Sequence, residues 1–144
     1  MNLSNRKIKE RKLRQDLILN GALEVFKSKG IEGSTMDEIA LESGFGKATL
    51  YYYFKSKEEV FSAILTNGWK DLWSDLEPVI SENNKSPRDI FINILLCISD
   101  NVRSRPGLYE FLFNAPKMIS FDSQSWRKYQ DRIYSVIHTL LEEG

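Results

Sequence analysis

Two capping boxes divide the stretch around residues 35–59 into short helices. In a capping box, a hydroxyl and a carboxylate three residues apart each satisfy a free amide at the start of a helix. Thr35 and Glu38 have this spacing, and Ser56 and Glu59 repeat it. The first box predicts a short helix directly after residue 35, and the second predicts a new helix that begins at Lys57.

Between the boxes lies a glycine turn followed by the run KATLYYYF, residues 47–54. Gly44 is a stop signal for the first helix, and only Gly44-Phe45-Gly46 separates that helix from the aromatic run. Aromatic residues also favour strands, but no neighbouring run alternates as a partner strand would, so a short helix fits better. Two short helices joined by such a turn form a helix-turn-helix, whose second helix enters the major groove of DNA.

A helical wheel divides the side chains of this second helix between two faces. At about 100° per residue, Leu50 and Phe54 point together toward the interior, with Tyr53 at the margin. Ala48 and Tyr52 point outward. Hydroxyls on the outer face can bind phosphates, and the rings can contact thymine methyl groups.

Two lysines lie where a helix-turn-helix meets DNA. Lys47 is on the first turn of the predicted recognition helix, where a lysine can donate to guanine O6 and N7. Lys57 opens the next helix, where free amides and the positive end of the helix dipole favour a phosphate. Exposed lysines are usually only surface residues, so the prediction depends on the whole set.

The distribution of charge suits a polyanionic partner. The chain of 144 residues has no net charge, yet through Lys57 it has eleven basic and seven acidic residues, a net charge of +4. The remainder is correspondingly acidic. Basic residues between Arg6 and Arg14 fit either a solvated helix start, which we favour, or a disordered arm that reaches the minor groove.

Composition also limits the cellular compartment in which the protein is expected and the chemical activities that its residues allow. The single cysteine, Cys97, excludes an internal disulfide and indicates a reducing compartment. Neither a signal peptide nor an apolar run of about 20 residues is visible, so a soluble, cytoplasmic protein without a membrane partner is expected. The sequence offers no metal-ligand cluster, glycine-rich phosphate loop or nucleophile with a base, so we predict no enzyme activity, no metal and no cofactor.

The rest of the chain also has helical periodicity, and no strand is predicted. Expected helices cover about 8–29, a long stretch from Lys57 that Pro78 disturbs or ends, and 87 to about 102. A short helix over 108–114 is started by Pro106-Gly107, and a last helix runs from about Ser123. The apolar stripe of the helix over 8–29 comprises Leu13, Leu17, Ile18, Ala22, Val25 and Phe26. The stripe of the helix that begins at residue 87 comprises Ile90, Phe91, Ile94, Leu95, Ile98 and Val102.

Residues 18–65 resemble the N-terminal domain of the TetR (tetracycline-repressor) family of bacterial transcription regulators. The marks are Ala22 and Phe26 followed by Gly30, the run STMDEIA from residue 34, the Gly44 turn, and KATLYYYF running into SKEE. The resemblance implies that DNA is contacted by Thr35, Lys47, Ala48, Thr49, Tyr51, Tyr52, Tyr53 and Lys57. The resemblance also implies that the protein binds double-stranded operator DNA and forms a homodimer.

The chain departs from the family pattern in two places. Gly46 stands where the family often has Ser or Thr, which gives up a side-chain cap at a cost of a few tenths of a kcal/mol. Family members usually continue for two more helices that build the four-helix bundle of the dimer, and this sequence ends about where those would begin. The chain is then either a fragment or dimerises differently.

These observations lead to one hypothesis and one alternative. The fold is expected to be all-α, with a three-helix helix-turn-helix domain at 1–57 joined by a long helix to a helical ligand-binding and dimerisation domain at 58–144. The function is that of a ligand-released repressor, and the alternative is a helical protein-interaction module with a nonspecific basic surface. Side chains that could bind a hydrophobic or aromatic effector, although for each one taken singly ordinary core packing is favoured, are Trp69, Trp73, Tyr109, Phe113, Asn114, Phe121, Trp126, Tyr129 and His138.

Overall fold

The computed structural model describes residues 3–115 and 126–143, and within them every regular element is an α-helix. The predicted all-α class is confirmed. The helices are α1 (Leu3–Lys29), α2 (Met36–Ser43), α3 (Lys47–Tyr53), α4 (Lys57–Ile80), α5 (Pro87–Ser104), α6 (Pro106–Asn114) and α7 (Arg127–Glu143). The chain divides into two compact units, Met1–Ile64 and Leu65–Gly144, so the division falls within α4.

The core of the first unit is built on the second half of α1. Ile18, Ala22 and Phe26 are fully buried, and the Phe26 ring packs edge to face on Phe61 with centroids 5.5 Å apart. The predicted stripe was wrong at its start, because Leu13 and Leu17 are 61% and 47% exposed. Helical spacing identifies the apolar face of a helix, but it does not say how far neighbouring elements cover that face.

Helix α1 also begins earlier than predicted, at Leu3 rather than near Ile8. The basic residues of its first turns form i,i+4 ion pairs with Glu10 and Asp16, from Arg6 at 3.8 Å and Lys12 at 3.5 Å. Such pairs support an exposed helix. Of the two sequence interpretations, the solvated helix start is therefore the one that the structure shows.

Helices α1 and α2 approach closely at Gly21. A Cβ atom built on Gly21 would lie 2.8 Å from the Cα of Ser43, which is shorter than any normal contact. Glycine at this position therefore permits the approach of α2, and with it the placement of α3.

Replacing Gly21 by alanine is expected to lower the free energy of unfolding by roughly 1–2 kcal/mol. Overpacking against a backbone costs about 1–3 kcal/mol, and alanine recovers just under about 1 kcal/mol of helix propensity. Urea unfolding of Gly21→Ala measures the difference. Asn20→Ala, on the exposed side of the same turn, is the control and is expected to be neutral or slightly stabilising. Equal stability of the two variants would contradict the close approach.

The core of the second unit contains aromatic and aliphatic side chains from α4 to α7. The fully buried members are Leu65, Trp69, Leu72, Leu76, Ile94, Leu112, Ala115 and Trp126. The predicted stripe of α5 was wrong at Leu95, which is 49% exposed. Only Ile94 is buried on α5, so the stripe is wider than the surface that α6 and α7 cover.

Prolines lie near two of the predicted helix boundaries. Of the two outcomes expected at Pro78, an ended helix is excluded, because α4 continues to Ile80 and a proline in the last turn removes only one hydrogen bond. Helix α6 begins at Pro106, as the Pro106-Gly107 start predicts, with the proline in the first turn where its missing N–H costs nothing. Helix α7 begins at Arg127, and the predicted start near Ser123 lies outside the described residues.

Among the described residues, no helix is long and apolar enough to span a lipid bilayer.

Candidate nucleic-acid interface

The turn between α2 and α3 requires glycine at its first position. Gly44 has φ 78°, in the left-handed region that other residues rarely adopt. Its N–H donates to Leu41 O at 3.3 Å, and the N–H of Phe45 donates to Ala40 O at 3.1 Å. This is a Schellman motif, which satisfies the last carbonyls of α2. The chain can therefore enter α3 within three residues, as the sequence predicts.

The predicted capping box at the start of α2 is present. The Glu38 N–H donates to Thr35 Oγ1 at 3.2 Å, and the Thr35 hydroxyl donates to Glu38 Oε1 at 3.0 Å. The Lys29 ammonium also donates to the Glu38 carboxylate. These bonds, with that from Lys29 the largest cause, lower the pKa of Glu38 from its usual value. The α2 N terminus is thereby fixed to the end of α1.

The second capping box differs slightly from the predicted form. The Glu59 N–H donates to Ser56 Oγ at 3.2 Å, as expected. The Glu59 carboxylate, however, accepts from the backbone N–H of Lys55 at 2.8 Å, one residue before the cap. The box therefore closes the Phe54–Ser56 link between α3 and α4, and α4 begins at Lys57 as predicted.

Helix α3 has one buried face and one exposed face. Leu50 is fully buried and Phe54, which follows the helix, is 8% exposed, so the inward face of the wheel is confirmed. Tyr52 is 64% exposed and Tyr51 is 39% exposed, whereas Tyr53 is half-buried at the margin. The rings of Tyr52 and Tyr53 meet edge to face at 5.1 Å. The hydroxyl-bearing surface of α3 is therefore available to a partner.

Of the remaining residues predicted to contact DNA, Thr35, Lys47 and Ala48 are exposed, and Thr49 is half-buried. Gly46 forms the N-cap of α3 without a side-chain hydrogen bond. The Lys47 ammonium lies 3.0 Å from Oδ1 of Asp37 on α2, and this hydrogen-bonded ion pair raises the pKa of Lys47. Lys47 therefore remains protonated at neutral pH, with a counter-charge beside it.

Lys57 has partners that its position at a helix start did not predict. Its ammonium donates to the backbone carbonyls of Glu32 at 3.3 Å and Ser34 at 3.0 Å. Lys57 therefore joins the start of α4 to the loop that leads into α2. A lysine ammonium has three N–H donors, so one remains for an anion.

The sequence interpretation missed two residues on this surface. Asp37 was counted only as an acidic residue of α2, although it pairs with Lys47. The guanidinium of Arg11 lies 5.7 Å from the ring centroid of Tyr52 and 6.0 Å from that of Tyr53. Both contacts join residues from different helices, so no local pattern signals them.

The second unit brings three of the predicted effector residues together. Trp69 and Tyr109 are buried, and each ring approaches that of Phe113, at 5.8 Å and 6.0 Å between centroids. Tyr134, which the sequence interpretation did not single out, lies 6.4 Å from Trp69. The indole N–H of Trp69 is buried and has no hydrogen-bond acceptor among the described residues.

Tyr109 is held by a hydrogen bond from its hydroxyl. Its hydroxyl donates to Oδ1 of Asn101 at 3.2 Å. Burial, as the largest cause, raises the pKa of Tyr109 to about 12, so the hydroxyl stays neutral and can donate.

The other candidates are more scattered. Trp73 is half-buried beneath the Arg132 guanidinium at 5.9 Å, and Tyr129 is half-buried beside Lys128. Trp126 is buried, and Asn114 is exposed. His138 lies on the surface, with Nε2 3.3 Å from Glu142. Phe121 lies outside the described residues.

Comparison with known proteins locates the first unit in a described family. Residues 18–64 match the model for bacterial regulatory proteins of the tetR family. Among curated proteins, the chain is 31% identical over 99 residues to IcaR of Staphylococcus epidermidis, a negative transcriptional regulator of the biofilm operon icaADBC. It is 26% identical over 133 residues to the transcriptional regulator QacR of Staphylococcus aureus.

These alignments cover 69% and 90% of this chain, which spans 43% of the length of IcaR and 70% of that of QacR. Among solved structures, a TetR-like regulator from Rhodococcus superposes with a TM-score of 0.75 at 25% identity, covering 91% of this chain and 70% of that protein. The relatives are transcriptional regulators rather than enzymes. Residues 18–64 of the chain therefore carry the domain of the TetR family of bacterial regulatory proteins.

Proposed function

We propose that this protein is a one-component transcriptional repressor that binds a pseudo-palindromic operator as a homodimer and leaves it when a small-molecule effector binds. One observation carries the proposal. Helix α3 is braced from beneath by Leu50 and Phe54 and holds Lys47, Tyr51 and Tyr52 toward solvent directly after a three-residue turn. This is the arrangement of a recognition helix. Repression is further supported by the similarity to IcaR, a negative regulator.

Each proposed contact has a distinct role. Lys47 donates to a base edge, and Ala48 lets the backbone approach the groove. Phosphates are bound by the hydroxyls of Thr49 and Tyr53 and by the remaining N–H of Lys57. The residues proposed to lie against DNA are Thr35, Lys47, Ala48, Thr49, Tyr51, Tyr52, Tyr53 and Lys57.

A dimer would place two such helices about 34–36 Å apart, one turn of DNA, on the two half-sites. An effector in the 58–144 domain would favour a conformer with the wrong separation, and only to the extent that its affinities for the two conformers differ. Helix α4 runs without interruption from Lys57 to Ile80 and is the proposed lever. The effector would be apolar or aromatic, with an acceptor for the unpaired N–H of Trp69.

Selection from random duplex DNA tests the proposed function. The expected result is a pseudo-palindromic sequence preference. Tyr52→Ala and Lys57→Ala should each weaken binding to the selected duplex about tenfold or more, because each loses a contact worth about 1–3 kcal/mol. Binding is measured by electrophoretic mobility shift, alongside thermal unfolding, since Lys57→Ala also loses two carbonyl contacts.

Lys85→Ala is the matched control, because Lys85 is exposed on the link between α4 and α5. It should bind like the unaltered protein. Salt dependence alone cannot separate DNA binding from attraction to any acidic surface. Binding without sequence preference would favour the alternative, an interaction module with a nonspecific basic surface.

A further inference from the structure

Arg11 is the member of the basic start of α1 that contacts the proposed recognition helix. Its guanidinium carbon lies 5.7 Å and 6.0 Å from the ring centroids of Tyr52 and Tyr53, which themselves meet edge to face. Two such cation–π contacts hold the cation over the ring faces. Arg11 is thereby held beside α3, although it lies on a different helix.

The charge of Arg11 is not neutralised by any acidic residue of the described ranges 3–115 and 126–143. The nearby acidic residues of α1 pair with other cations, Glu10 with Arg6 and Asp16 with Lys12. In the described part of the chain Arg11 has no ion pair, and its side chain is exposed. A cation–π contact uses the positive charge of the guanidinium rather than an acceptor atom, so the N–H groups of Arg11 can still donate to an anion.

We propose that Arg11, with the hydroxyls of Tyr52 and Tyr53, forms a binding site for one phosphate of the DNA backbone. The fork of guanidinium N–H groups binds the two non-bridging phosphate oxygens, and a tyrosine hydroxyl donates to one of them. The two rings fix the position of the guanidinium before DNA arrives, which reduces the entropy lost on binding. The site extends the DNA-binding surface from α3 onto α1, and it rests on the proposed function.

The salt dependence of operator binding tests the site in the full chain. One lost phosphate contact lowers the slope of log K against log salt by about 0.9. Between 50 and 200 mM salt the unaltered protein should therefore lose roughly fourfold more affinity than Arg11→Gln. Arg11→Lys keeps the charge but not the fork, so its slope should stay near that of the unaltered protein while its affinity falls.

Arg6→Gln is the matched control. It removes the same charge from the same helix at a position about 140° around the axis, where no contact with α3 is recorded. Its slope should stay within experimental error of the unaltered protein. An equal change in both variants would mean that only net charge matters, and this would overturn the site.

A scan of the operator with single methylphosphonates locates the phosphate without relying on the folding of any one variant. One neutralised position should weaken binding of the unaltered protein about fivefold or more and leave Arg11→Gln unaffected. If no phosphate position behaves in this way, the proposed site is wrong. If the unaltered protein selects no sequence at all, the proposed function fails instead, so the two failures are distinguishable.

Discussion

Shortening Leu50 to alanine should lower the free energy of unfolding of the first unit by about 2–5 kcal/mol and abolish operator binding. Leu50 is the one buried residue of α3, and α3 has only 7 residues. Isolated helices shorter than about 12–15 residues are marginal in water, so packing rather than propensity must hold α3 in place. Losing the Leu50 contacts therefore removes the support of the whole recognition surface.

Urea unfolding followed by circular dichroism measures the loss of stability, and hydrogen exchange of the α3 amides shows whether it is local. Tyr52→Ala is the matched control, because it truncates a large side chain on the exposed face of the same helix. Its stability should fall by no more than about 1 kcal/mol, because only exposed ring contacts with Tyr53 and Arg11 are lost, while its operator affinity falls. If Leu50→Ala is as stable as Tyr52→Ala, α3 is not held by its buried face.

The features that could be read from the sequence are those with local causes. The caps at Thr35 and Ser56 form between residues three apart, and the turn at Gly44 depends on the φ angle of one residue. The same is true of the inward face of α3, because the helical period alone brings Leu50 and Phe54 together. Interactions within one turn are largely independent of the remaining fold, so they can be predicted without it.

Errors arose where coverage by other elements decides the outcome. Leu13 and Leu95 continue regular apolar stripes, yet both are exposed because the periodicity of a helix carries no information about what packs on it. Pro78 was expected to disturb or end α4, and the helix continues past it to Ile80, since a proline near a C terminus costs less than one in the interior.

The electrostatics of the candidate interface could not be predicted either. The pairing of Lys47 with Asp37, and the contacts of Lys57 with loop carbonyls, depend on how α2, α3 and α4 are placed relative to one another. A sequence shows which charges exist, but not which of them are adjacent. Lys57 therefore has a structural role in addition to its predicted contact with phosphate. A Lys57 variant must be assessed for stability as well as for DNA binding.

Substitutions of Lys47 and of its partner Asp37 should change operator affinity in opposite directions. Lys47→Gln should weaken operator binding about tenfold to a hundredfold, because a contact with a base edge is worth about 1–3 kcal/mol. The sequence preference of this variant should become weaker at one base pair of each half-site. The ion pair with Asp37 is exposed on both sides, at 64% and 68%, and exposed pairs of this kind contribute little because water and salt screen them. DNA can therefore displace Asp37 from Lys47.

Asp37→Asn should in consequence strengthen binding, by up to about fivefold, since it removes both a competitor for Lys47 and a negative charge near the phosphates. The gain should extend to non-operator DNA, because repulsion from a phosphate does not depend on sequence. Binding of both variants to the operator and to single-base substitutions, measured at two salt concentrations, separates the possible roles. A uniform loss for Lys47→Gln, with a salt slope reduced by about one, would assign Lys47 to a phosphate rather than to a base. Weaker binding by Asp37→Asn would mean that Asp37 positions Lys47 for the groove instead of competing with DNA for it.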